Sequence, residues 1–168
     1  MSAVRSLSQL AALTCWCIGT AVANTSAPAP PAVITAHLAD LKQVDRFVLL
    51  PPAIRDGHFT VDGTPAAGWQ MAEPGAAFSA TDVPVPGAPG RRLIFAACDA
   101  RLCLVHYERG GIAHFYEILT LLLASKGWTT IWNVRGAKPF ANLAALRAFV
   151  QHPTSTNGWT VQWVKGDF

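Results

Sequence analysis

The spacing of apolar and polar positions changes several times along the chain, and each change marks an element. In residues 35–44, Leu38, Leu41 and Val44 or Phe47 fall on one face at helical spacing, which predicts a helix, and Pro51-Pro52 ends whatever precedes it. The short apolar run 47–50 also fits a buried strand, and periodicity does not separate the two. Residues 58–61 predict a strand entering a tight turn at Asp62-Gly63. Pro65 makes the return irregular, so residues 69–72 are the next ordered piece expected. Residues 83–90 (VPVPGAPG) form a proline–glycine loop.

Residues 91–134 carry the strongest pattern. Runs 93–98, 102–108, 112–123 and 128–134 are strand-like and are separated by Asp99-Ala100-Arg101, by Gly110-Gly111 and by Ser125-Lys126-Gly127. Short turns between such runs predict an antiparallel meander. Pro139 then opens a helix whose inner face carries Phe140, Leu143, Leu146 or Arg147, and Val150, with Pro153 just past its end. A last strand is expected over 159–164. The prediction is an α+β fold: an antiparallel β-sheet, a meander of about five to six strands, with one or two helices packed on one face.

Side-chain alternation assigns faces once a register is chosen. If Cys98 lies opposite Cys103, Ala96 faces Val105 and Ile94 faces Tyr107. An even-length turn about Gly110-Gly111 then puts Val105 and Tyr107 with Ile112, His114 and Tyr116 on one face. The other face carries Leu104, His106 and Glu108 with Ala113, Phe115 and Glu117. One residue more or less in that turn would exchange the faces of the second strand.

The N-terminus changes the picture from fold to compartment. Residues 1–5 carry one positive charge and no acid, residues 10–18 are predominantly apolar, and Ala21-Val22-Ala23 supplies a small-residue cleavage site before Asn24. That is the layout of a secretory signal, so residues 1–23 are expected to be removed and the protein to work in the periplasm or outside the cell. The alternative, a membrane anchor, needs roughly 20 apolar residues; the run 10–23 is shorter and broken by Gly19 and Thr20. Cys15 and Cys17 lie within this segment, in contexts that do not suit lipidation. Residues 24–34, rich in proline and alanine, read as a tether, and residues 35–168 as a single domain.

Of the mature cysteines, Cys98 and Cys103 alone remain, and in an oxidising compartment they are expected to form a disulfide. No second pair completes a zinc site. Taking Arg5 from 13 basic residues leaves 12 against 10 acidic, a net charge of +2. The basic residues are scattered, with Arg91-Arg92 the only adjacent pair, which disfavours nucleic-acid binding; the membrane is met only during export, through the signal segment.

Candidate chemistry is sparse. There is no nucleophile elbow and no phosphate-loop fingerprint, and no cofactor or metal is expected. His106, Glu108 and Glu117, if they share a face, could act as an acid/base or metal cluster in a small hydrolase; otherwise they are the solvated side of a sheet. GWTTIW and GWTVQW repeat a pattern in which spacing of four along a strand puts Trp128 with Trp132, and Trp159 with Trp163, on common faces. Such pairs could stack on a cell-wall glycan or anchor a protein partner, or they could simply pack the helix on the sheet. The expectation is a non-enzymatic envelope protein that binds a macromolecule: first a protein partner, including an inhibitor-type role, then a glycan, with the enzyme as a further alternative.

Overall fold

A computed structural model describes residues 30–61, 64–65, 69–83, 85–153 and 159–162. The predicted signal segment and Trp163 lie outside them, as does most of the tether.

The α+β fold is as predicted. Four long strands form the meander: β4 (Arg91–Cys98), β5 (Leu102–Arg109), β6 (Phe115–Ala124) and β7 (Gly127–Gly136). Short strands extend it: β1 (Lys42–Val44) pairs with β4, while β2 (Phe59–Val61) and β8 (Thr160–Gln162) both pair with β7. β3 (Thr64–Pro65) pairs with β2, so among the described residues the sheet runs β1-β4-β5-β6-β7-β2-β3 and has eight strands with β8. Among the described residues the named strands pair antiparallel except for the parallel β2–β7 contact, and Ala72 forms an isolated parallel bridge with Arg92.

Both faces of the sheet are covered. On one, α1 (Ala32–His37) and α3 (Leu143–Gln151) enclose a core of Ile34, Leu104, Ile118, Trp132, Leu146 and Trp159 with their neighbours. The helix α1 begins inside the segment read as tether, where Ile34 is wholly buried, and β1 replaces the predicted end of that helix. Arg147 on α3 ties the two helical segments by donating to the Leu41 carbonyl at 2.6 Å. Asn142, three residues after the predicted start, caps α3 by accepting from the Ala145 N–H at 2.9 Å. On the other face, a 3-10 turn (Phe47–Leu49), α2 (Pro52–Arg55) and the segment about Trp69 and Met71 cover Leu93, Val105, Leu121 and Trp128. The Glu73 carboxylate accepts the N–H groups of Phe47 and Val48, which fixes that turn where a strand was also readable.

Cys98 and Cys103 form the expected disulfide and stand opposite each other in the β4–β5 ladder. The next pairs, Ala97 with Leu104 and Ala96 with Val105, follow that register. The expected pairing of Ile94 with Tyr107 does not hold. Ile94 is the extra residue of a β-bulge, so Leu93 takes the place opposite Tyr107.

Two further face assignments are corrected. Arg109 pairs with Phe115, which leaves five residues, 110–114, in the connection; an odd number exchanges the faces of β6. Glu117 therefore stands opposite Tyr107 and shares its face, while His106 pairs with Ile118. A bulge at Ile131 separates the tryptophans of β7, because Thr120 pairs with Trp132 and Leu121 with Thr130. Trp128 joins the core under α2, and Trp132 the core under α3.

Candidate functional site

β5 is buried from Leu102 to Glu108, so its polar residues are interior groups rather than a wet sheet face. His106 is wholly buried and has both ring nitrogens engaged: Nδ1–H donates to the Glu117 carbonyl at 3.0 Å, and Nε2 accepts from the Phe140 N–H at 3.1 Å. Burial lowers its pKa to about 4, against opposing contributions from the Glu117 carbonyl and the Glu108 charge. The imidazole is a neutral link between β5 and the approach to α3. Glu108, on the same face, accepts from Arg92 Nε at 2.5 Å and lies 3.0 Å from His114 Nε2.

Glu117 enters the opposite face and is only 2% exposed. Arg135 donates to its Oε1 from Nε at 3.0 Å and from Nη2 at 2.7 Å, and the Tyr107 hydroxyl donates to Oε2. Burial and then the neighbouring carboxylate raise the Tyr107 pKa, so the phenol remains a donor. His106, Glu108 and Glu117 thus do not converge. The His106 ring meets Glu117 only at its backbone carbonyl, across the plane of the sheet. Among the described residues no group of three metal-ligating side chains is assembled.

The tryptophans are also interior. Trp128, Trp132 and Trp159 are buried, and Trp159 stacks on Phe140 with ring centroids 4.7 Å apart. The spacing-of-four argument fails for Trp128 and Trp132 because of the bulge, and Trp163 lies outside the described residues. Trp128, Trp132 and Trp159 offer no common exposed platform for a sugar ring.

Around Glu117 the sheet instead opens into a cleft of about 280 Å³. Its buried base includes Tyr107, Glu117, Leu119 and Thr130, with Phe59 and Trp69 as apolar walls. Three half-buried arginines reach it from three strands: Arg91 on β4, Arg109 on β5 and Arg135 on β7. Register brings them together. Arg91 is paired with Arg109, Tyr107 with Glu117, and Glu117 with Arg135, and these side chains all project to one face. Phe115 supports two of the guanidiniums, with Arg135 4.1 Å and Arg109 5.8 Å from its ring centre. Trp69 packs edge-on to Tyr107 at 5.3 Å and tilted against Phe59 at 5.0 Å, which fixes the apolar wall.

Sequence reasoning missed the arginines. They are 18 and 26 positions apart along the chain, and apart from Arg91 beside Arg92 none has a basic neighbour. The usable signal is that Arg109 and Arg135 each sit at a strand end immediately before glycine, as Arg91 follows Gly90 at a strand start. Chemically the cleft is an array of fixed N–H donors and surplus positive charge beside an aromatic wall. No protein-family model matches the chain, and no curated protein or solved structure is significantly similar to it.

Proposed function

We propose that this protein is a non-enzymatic binding domain exported to the periplasm or the exterior, and that it recognises a protein partner through the arginine-lined cleft. The observation that carries this reading is the cleft's charge: three guanidiniums meet one carboxylate, and that carboxylate is already neutralised within the fold. Glu117 acts as a buried counter-charge that holds Tyr107 and Arg135, and His106 is committed to two backbone partners. Groups so engaged position other groups; they are not poised to move a proton. Aromatic and arginine side chains around a pocket are also the types that anchor protein interfaces. The signal-like N-terminus and the disulfide support the location.

The test is affinity capture. Tagged protein is incubated with envelope extract, beside the Arg91→Glu/Arg109→Glu variant, and the eluates are compared by mass spectrometry. A protein recovered in near-equal amount with the parent and lost with the variant is the expected result. Recovery of nothing specific, or of the same protein with both, would overturn the reading. An inhibitor-type role predicts that the captured partner is a secreted enzyme whose activity falls on binding.

A further inference from the structure

Arg91 and Arg109 stand directly opposite each other on adjacent strands, with both side chains on the cleft face. Like charges so opposed destabilise a sheet, and a guanidinium cannot shed its proton to relieve the conflict. Glu117 offsets it only in part. Both its oxygens are occupied by Tyr107 and Arg135, and Arg109 comes no closer than 3.8 Å. Arg91 Nε is buried without a hydrogen-bond partner among the described residues, as are Thr130 Oγ1 and Asn133 Oδ1 on the same lining. Thr130 as a whole is 1% exposed, so its orphan hydroxyl is an interior group. Buried polar groups without partners are rare in folded proteins and costly to leave unpaired.

One kind of ligand answers the opposed guanidiniums. We propose that the cleft is a receptor for an oxyanion, a carboxylate or phosphate group carried on an apolar body, with Arg91 and Arg109 as its clamp. Guanidinium forks match the paired oxygens of either group and bind them through charge-assisted hydrogen bonds. The apolar body lies against Phe59 and Trp69. The volume, about 280 Å³, is at the small end of ligand cavities and suits one ring or side chain with its acid group. The inference rests on the cleft being the binding face; it does not require that the ligand belong to a protein.

Calorimetric titration of the purified protein with phenyl phosphate, benzoate and neutral benzyl alcohol at low ionic strength tests this. The titrations are run on the parent, on Arg91→Gln and Arg109→Gln, and on Arg101→Gln in the exposed β4–β5 turn as a charge-matched control. Thermal unfolding establishes that each variant is folded. At least one anion should bind saturably with Kd of about 1 mM or tighter, and about tenfold more weakly to both cleft variants. Arg101→Gln should bind as the parent does, and benzyl alcohol should not bind. Tighter binding of phenyl phosphate assigns a phosphate ligand, and of benzoate a carboxylate. An independent readout in the parent is the Arg91 Nε–H NMR resonance, which should move on titration. Absence of saturable anion binding, an equal loss in Arg101→Gln, or equal binding of benzyl alcohol would overturn the proposal. Anion binding without a captured protein removes only the protein-partner reading. A protein captured through the cleft without anion binding removes only this one.

Discussion

His106 looks in the sequence like a reactive group beside two acids, yet its environment makes it a structural one. Both nitrogens bind backbone groups, and Phe95, Phe140 and Trp159 surround the ring. In the unfolded chain it titrates near 6.5; in the fold, burial holds it near 4. Between those values the unfolded chain binds a proton that the folded chain does not, so stability is lost as the pH falls from about 6.5 toward 4. The loss is on the order of 3 kcal/mol, taking ~1.4 kcal/mol per unit of pKa difference. Urea denaturation at neutral and mildly acidic pH should show this decline in the parent. The variant His106→Gln should start about 1–3 kcal/mol less stable at neutral pH and decline less. An imidazole resonance that titrates near 6.5 in the folded protein would contradict the assignment. That the residue is histidine was legible from the chain; that both its nitrogens are used was not, because one partner is eleven and the other 34 positions away.

Among elements, β7 carries the most consequence for each irregularity. The extra residue at Ile131 turns Trp128 to one core and Trp132 to the other, and it places Thr130, Asn133 and Arg135 together on the cleft face. Alternation alone would have separated Thr130 from Asn133. At its far end, Gly136 lies under the Trp159 indole, and a Cβ there would overlap the ring. Gly136→Ala should therefore cost about 1–3 kcal/mol through displacement of Trp159 from its stack on Phe140. Chemical denaturation followed by tryptophan fluorescence measures both the loss and its site. Unchanged stability would mean that Trp159 is not held against β7. The four long strands and α3 were readable because their periodicity and turn residues are local signals. The bulges at Ile94 and Ile131, and the five-residue connection before Phe115, were not, since each is chosen by packing on both sides of the sheet.

For the whole molecule, covering both faces of the sheet creates an interior in which charge must be balanced across strands. The cleft leaves that balance incomplete, with Arg91 opposite Arg109 and Glu117 committed elsewhere. On the proposed reading, anion binding and stability pull in opposite directions. Without ligand and at low ionic strength, Arg91→Gln should be as stable as the parent or more stable by up to about 1 kcal/mol. Added salt should narrow the difference, since screening weakens the repulsion between partly exposed charges. Urea midpoints at two ionic strengths check this, and a marked destabilisation by Arg91→Gln would mean that the guanidinium is satisfied within the fold.

The chain by itself determined the α+β class, the meander and the disulfide register at its closed end. Each of these rests on neighbours within a few residues or on a covalent pairing with few alternatives. Tertiary structure alone decided which polar residues meet. A face in a β-sheet is defined by parity, and one added residue in a turn or a strand reverses it for everything beyond. That reversal moved Glu117 away from His106 and beside Arg135, and it turned three scattered arginines into one cleft.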